Sequence, residues 1–201
     1  MKIVCTALAM FALVGCSDAP KTAEKKEPPK AIEPSTGRHA FYQMYPSARA
    51  WASDAAPLQL KSIQLEAVKA APGRAGAWQC IFVSPARGRQ KIFTWSAIES
   101  EGNLHQGVFG GTDESYTPGR QDQLFLLAAL KTDSDEVYET AAKQSAGYMK
   151  KNPGKMLNFQ LEQTPHFPDL AWRVIWGESI GTSDYSVYID ATTGQLLEKM
   201  H

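Results

Sequence analysis

The chain has 201 residues, 43% of them apolar, with 21 Lys plus Arg balanced by 21 Asp plus Glu for a formal net charge of zero. This is globular composition and excludes a disordered or collagen-like chain; the length allows one ordinary domain or two small ones. Neutral balance argues against a nucleic-acid binder, which carries a basic excess on its binding domain, and against a general attraction to anionic surfaces.

Met1-Lys2 supplies a positive start, and residues 3–14 form an apolar run broken only by Cys5 and Thr6. A bilayer needs about 20 apolar residues, so this run has the length of a signal-peptide core and is too short to span. Leu13-Val14-Gly15-Cys16 follows: aliphatic, tolerant, small, then Cys. That order resembles the lipobox of bacterial lipoproteins. The resemblance implies cleavage before Cys16 and lipidation of Cys16, with residues 1–15 removed. More than one acyl chain on Cys16 gives a stable anchor, where a single chain binds only marginally. Ser17 after the lipid-bearing Cys, in place of an acid, resembles enterobacterial sorting to the outer membrane. The expected location is the bacterial envelope, lipid-anchored on the periplasmic side, with the outer membrane favoured over the inner. Loss of residues 1–15 takes away Lys2 and Cys5 and leaves 20 basic and 21 acidic groups. Cys80 is then a lone thiol, and the fold stands without an internal disulfide.

Residues 17–38 hold four Pro, five Lys or Arg and four Asp or Glu, with Ile32 as the one large aliphatic residue. Such a stretch buries no core, and residues 16–38 read as the lipidated Cys followed by a disordered, partly extended tether.

The folded region reads as an internal duplication, 39–124 and 125–201. Ile63-Gln64-Leu65-Glu66 is echoed by Phe159-Gln160-Leu161-Glu162. AWQCIFV (77–83) is echoed by AWRVIWG (171–177), KIFTWSA (91–97) by YSVYIDA (185–191), and Glu101-Gly102-Asn103-Leu104 by Thr193-Gly194-Gln195-Leu196. Several matches in one order point to a repeat. Each half opens on a helix. In the first, Tyr45-Pro46-Ser47 starts a short helix through Ala48, Trp51, Ala52 and Ala55, which Pro57 ends. In the second, Thr132-Asp133-Ser134-Asp135-Glu136 offers capping oxygens and acids for a helix N-terminus, Val137, Tyr138, Ala141, Ala142, Ser145, Tyr148 and Met149 recur at helical spacing, and Asn152-Pro153-Gly154 stops it. Period-two alternation marks strands. Ile63, Leu65 and Ala67 share one face, as do Trp78, Cys80 and Phe82, and Phe93 and Trp95. The second half repeats this with Leu157, Phe159 and Leu161, with Trp172, Val174 and Trp176, and with Tyr185, Val187 and Ile189. Gly107-Val108-Phe109-Gly110-Gly111 reads as a bend, and residues 124–130 as a last strand or a core-packed connector. The fold class is α+β: two tandem units, each a helix packed on a short antiparallel β-meander.

The second unit resembles the PepSY family, on its helix, its strands at 172–176 and 185–189, and above all Asp190-Ala191-Thr192-Thr193-Gly194-Gln195-Leu196-Leu197. Asp190 can accept turn N–H groups, and Gly194 can take a left-handed conformation at no steric cost. In the first unit Ser96 replaces the Asp, and the turn is less regular. The resemblance implies the cell envelope and, in some members, restraint of secreted peptidases. The tandem layout is also similar in shape to the beta-lactamase inhibitor protein family.

Residues that carry chemistry are sparse. His39, His105, His166 and His201 have no neighbour at metal spacing; no Cys-x-x-Cys, G-x-S-x-G or phosphate loop is present. No metal, cofactor or catalytic group is expected. Cys80 falls mid-strand where the other half has Val174, which is a core position. Arg87-Gly88-Arg89 makes a basic hairpin tip, and Tyr188 alternates onto a polar face; Arg and Tyr are favoured interface anchors, so Arg87, Arg89 and Tyr188 are the partner-binding candidates. The expected function is a non-catalytic, lipid-anchored module that binds an unidentified envelope protein, modulation of a secreted peptidase being one such role, with no nucleic acid involved. The alternative is a small-ligand or glycan module with a cleft between the units lined by Tyr and Trp. A dispersed hydrolase site built on converging His residues is a third reading.

Overall fold

The structure is a computed structural model and describes residues 32–179 and 181–200; the predicted signal peptide, Cys16 and most of the predicted tether lie outside the described residues. The elements follow as β1 (Ser35–Thr36), α1 (Gly37–Trp51), β2 (Ala56–Ile63), β3 (Arg74–Ala75), β4 (Ala77–Ser84), β5 (Arg89–Ser96), β6 (Gly107–Ser115), α2 (Ser134–Gln144), α3 (Ala146–Lys151), β7 (Leu157–Glu162), β8 (Ala171–Trp176), β9 (Tyr185–Asp190) and β10 (Leu196–Met200). The fold is mixed α+β. Among the described residues, eight strands make one antiparallel sheet in the order β10-β9-β8-β7-β2-β4-β5-β6, and β1 pairs separately with β3. β2-β4-β5-β6 and β7-β8-β9-β10 are each a meander of neighbours. They join through β2 and β7, where Leu60 stands opposite Leu161.

One face of this sheet is the core. The alternation places Trp78, Cys80 and Phe82 of β4, Phe159 and Leu161 of β7, Trp172, Val174 and Trp176 of β8, and Tyr185, Val187 and Ile189 of β9 on it, and all are buried. Each such side chain contributes roughly 1.5–3 kcal/mol on burial. All three α-helices pack on this face: Phe41 of α1 stacks on Phe82 with ring centroids 5.7 Å apart, Val137 and Ala141 of α2 join the core, and Tyr148 of α3 stacks on Tyr185 at 4.2 Å. Cys80 is fully buried, and burial pushes its thiol well above the ordinary range. No helix among the described residues is long and apolar enough to cross a membrane.

Several elements differ from the sequence expectation. The first helix starts at Gly37, not at Tyr45, and carries Pro46 in its interior. Its buried face, Ala40, Phe41, Met44 and Ala48, is spaced for a helix and outweighs the one backbone hydrogen bond that Pro46 removes. Residues 35–38, expected at the end of a disordered tether, are strand β1 and the first turn of α1. The first long strand is Ala56–Ile63 with Pro57 inside it, so Leu65 and Ala67 lie beyond its end. Pro57 is tolerated because β7 pairs with β2 only from Gln59 onward. The expected bend at residues 107–111 is part of the edge strand β6, and the 124–130 segment is a connector that buries Phe125 against Phe41. The second helix begins at its predicted cap, Asp133, but breaks at Ser145 into α2 and α3.

The N-termini of α1 and α2 meet. Thr36, the N-cap of α1, makes no side-chain cap bond. Asp133 serves both helices instead: its Oδ1 accepts from Ser134 N–H at 2.7 Å and from Arg38 N–H at 2.9 Å. Ser134 Oγ accepts from Gly37 N–H at 2.8 Å and donates to the Gly73 carbonyl at 2.6 Å. One carboxylate thus sits at two positive helix ends. The indole of Trp78 donates to the Ser35 carbonyl at 2.9 Å and that of Trp172 to the Thr132 carbonyl at 3.0 Å, each two residues ahead of a helix. Gly37 lies where the two indoles converge; a Cβ there would stand 2.6 Å from Trp172 and 3.0 Å from Trp78.

Candidate protein-binding surface

The opposite face of the sheet carries no α-helix among the described residues. Its side chains alternate with the buried ones, and the strand register sets them in rows. One row crosses all eight strands: Glu198, Tyr188, Arg173, Gln160, Lys61, Gln79, Thr94 and Phe109 are successive cross-strand partners. Beside it, Gln59, Ile81 and Ile92 form a second run. Strands about 4.8 Å apart make this face roughly 35 Å wide, and six to eight residues at about 3.3 Å each make it roughly 20–25 Å long. That is of the order of the ~800 Å² which each partner contributes to a standard protein interface.

The polar groups of the face fall into two sets. Most are held internally. Gln59 Nε2 donates to Glu162 Oε2 at 2.8 Å; Arg173 Nε donates to Ser186 Oγ at 3.0 Å and its guanidinium lies 5.2 Å from the Tyr188 ring centre. Asp190 Oδ1 accepts from Thr192 and Thr193 N–H, and Gly194 takes its expected left-handed conformation at φ 72°. The second set has no internal partner: the side chains of Lys61, Gln79 and Gln160 make no ion pair or hydrogen bond among the described residues, and Thr94 Oγ1 is buried without one. Gln160 lies directly opposite Lys61 across the β2–β7 seam.

A cleft of about 540 Å³ opens on this face over the seam. Lys61, Ile63, Gln160, Ile175, Met156 and Glu178 are among the residues that line it. Asn158 fixes the wall by donating to the Gly177 carbonyl at 2.8 Å and the Glu178 carbonyl at 3.2 Å. A second cleft, about 630 Å³, lies against the segment before β3 and is lined by Leu65, Val68, Pro72, Tyr138 and Met156 among others. Neither is lined by Trp, because Trp78, Trp172 and Trp176 are spent in the core.

The predicted partner-binding residues are not brought together. Arg87 and Arg89 lie at the hairpin end on the helix-covered side, where both are tied to Asp113, at 3.1 and 2.8 Å. Trp51 Nε1 also donates to Asp113, at 3.0 Å, and the Arg87 guanidinium lies over the Trp51 ring. The Arg89 and Trp51 donors, in that order, hold the Asp113 carboxyl below its usual range. Tyr188 is on the open face but is 8% exposed, where alternation alone predicts exposure. The loop between β7 and β8 folds across it: Phe167 lies 4.5 Å away, and His166 Nε2 meets Glu198 Oε2 at 2.7 Å. Burial raises the Tyr188 phenol. Cys16 is outside the described residues.

The described histidines sit on separate elements: His39 on α1, His166 on the β7–β8 loop, and His105 on the β5–β6 loop, paired with Glu99 at 2.6 Å. Among the described residues no cluster of three His, Cys, Asp or Glu could hold a metal ion. Sequence reasoning missed Lys61, Gln79, Gln160 and Thr94. Their only signal was polar alternation, and which polar stripe stays uncovered depends on the strand order.

No known family matches the chain, and no curated protein does. Among solved structures, a crystal structure from Clostridium difficile 630 described as that of a "putative lipoprotein" is similar at 10% identity and a TM-score of 0.48, covering 84% of this chain and 95% of that one.

Proposed function

We propose that the protein is a lipid-anchored module of the bacterial envelope that holds a protein partner on its open sheet face and catalyses nothing itself. One observation carries this: eight strands present a continuous face of interface size whose central polar groups have no internal partner. Thr94 Oγ1 is shielded from water without a partner, at a cost of the order of 1–3 kcal/mol, while the polar ends of Lys61, Gln79 and Gln160 reach water and meet no protein group. A partner's backbone and side chains would pair them. The anchor is Cys16, by the lipobox, with the periplasmic leaflet of the outer membrane as its site. Tyr188 belongs to the face as a covered group. Arg87 and Arg89 stand apart from it and serve the β4–β5 hairpin.

The body reads as two tandem PepSY-like copies. Supporting this are the matched indole contacts ahead of each helix and the like order of strands in the two meanders. Pairing Trp78 with Trp172 sets Leu60, not Ile63, against Phe159, since Cys80 faces Leu60 and Val174 faces Phe159. The Ser96 hydroxyl accepts from Ile98 N–H as Asp190 does from Thr192 N–H, so the changed residue keeps the turn's role. Modulation of a secreted peptidase is the partner role that the family likeness offers.

The test is capture from envelope extracts after crosslinking in the cell, with the full lipidated chain. A dominant partner that is lost when Gln79→Arg and Ile92→Glu are placed on the open face supports the reading. Retention of the partner in that double variant, with folding intact, removes it.

A further inference from the structure

We propose that the cleft over the β2–β7 seam receives an acidic side chain of the partner, with Lys61 as the group that binds it. This rests on the reading of the open face as a protein-binding surface and names the chemistry of its centre. Among the described residues, the strands turn two Lys or Arg side chains onto the open face, Lys61 and Arg173, and their situations differ. Arg173 donates to Ser186 and lies over Tyr188. Lys61 is half-buried on a central strand, and nothing among the described residues pairs with its ammonium. Among the described residues Arg38, Arg74, Arg87, Arg89 and Lys155 are ion-paired with a carboxylate, and Lys61 is not.

The surroundings select a carboxylate. The Gln160 side chain lies across the seam from Lys61, 8% exposed and unpaired, and can donate its NH₂ beside the ammonium. An ammonium plus an amide donor suits one carboxylate with two oxygens. A phosphate is disfavoured: Glu178 lines the same cleft, and Glu162, opposite Gln59, is diagonal to Lys61 on the same face. These two carboxylates repel any anion, and a doubly charged phosphate about twice as strongly as a singly charged carboxylate, so Lys61 and Gln160 can hold the carboxylate at the smaller cost. Ile63, Ile175 and Met156 add aliphatic walls, which dry the pair and strengthen it. The occupant is therefore a projecting loop with an Asp or Glu at its tip.

A carbodiimide tests this in intact cells carrying the full lipidated chain, because it joins an amine directly to a carboxylate with loss of water and no spacer. The expected result is an amide between Lys61 and an Asp or Glu of the partner, located by peptide sequencing. In Lys61→Arg the charge remains but the amide cannot form, so that adduct disappears while formaldehyde still captures the same partner. In Lys61→Glu and Lys61→Gln the formaldehyde capture falls at least tenfold, with thermal unfolding of each variant checked against wild type. Undiminished capture in a folded Lys61→Gln variant overturns the acidic-anchor proposal and leaves the protein-binding reading standing. So does a partner that is captured by formaldehyde but never linked at Lys61 by the carbodiimide. Absence of any partner from the wild-type chain with either reagent overturns the protein-binding reading itself.

Discussion

Asp133 joins the N-termini of α1 and α2. Its side chain is 10% exposed and caps the first turns of two helices from distant parts of the chain. A lost N-cap costs about 0.5–2 kcal/mol, and here two are lost together. Asp133→Ala should therefore lower the unfolding free energy by about 2–3 kcal/mol in urea titration, with Asp133→Asn recovering part of it; a loss under 0.5 kcal/mol would remove the shared-cap account. Gly37 is constrained next to it by packing. Gly37→Ala drives a methyl into Trp172 and Trp78, and overpacking of this kind costs about 1–3 kcal/mol. The same titration reads it, and the near-ultraviolet signal of the two indoles should change with it. Neither role was legible beforehand. Asp133 was recognisable as the start of its own helix, from the cap and the acids after it. That it also caps α1 depends on a contact between residues 95 apart in the chain.

At the scale of elements, α3 is held to the sheet by a surface cluster. Tyr148 Oη and Lys155 Nζ donate to Asp184 Oδ1 at 2.6 and 2.7 Å. The Lys155 ammonium and the Tyr148 hydroxyl, in that order, lower the Asp184 carboxyl from 3.8 to about 2. A carboxyl whose pKa is depressed by folding contributes stability above its unfolded value and loses it as pH falls through the folded one. The melting-temperature gap between wild type and Asp184→Asn should hold from neutral pH to about 4 and close between 4 and 2. A gap that persists at pH 2 would show that the cluster does not act through this charge. Elements were legible where pattern and punctuation agreed. β4, β8 and β9 alternate cleanly, and α2 has a cap and helical spacing. α1 was misread because Pro46 resembles a helix start and its true first turn lies in a polar, Pro-rich stretch. β6 was missed because an edge strand with Gly110 and Gly111 carries little apolar alternation. Tyr188 was assigned to the correct face, but the cover supplied by Phe167 comes from a loop with no periodic signal.

At the scale of the molecule, the two meanders share one sheet, one core and the Asp133 junction. Residues 32 onward form one compact unit, and they should unfold in one cooperative transition. Calorimetric and van't Hoff enthalpies that agree would bear this out; two resolved transitions would mean that the halves are independently stable. The same continuity leaves one broad face without α-helices among the described residues, and the functional reading depends on that asymmetry. The most direct measurement is site-specific photocrosslinking in living cells with the full lipidated chain. A photoreactive residue is placed at Gln79, Ile92 or Phe109 on the open face, and at Tyr42 or Glu139 on the helices. One discrete adduct from the open-face positions and none from the helical ones is the predicted result. Adducts from Tyr42 or Glu139 alone, or none from any open-face position, would contradict the assignment of this face as the binding surface.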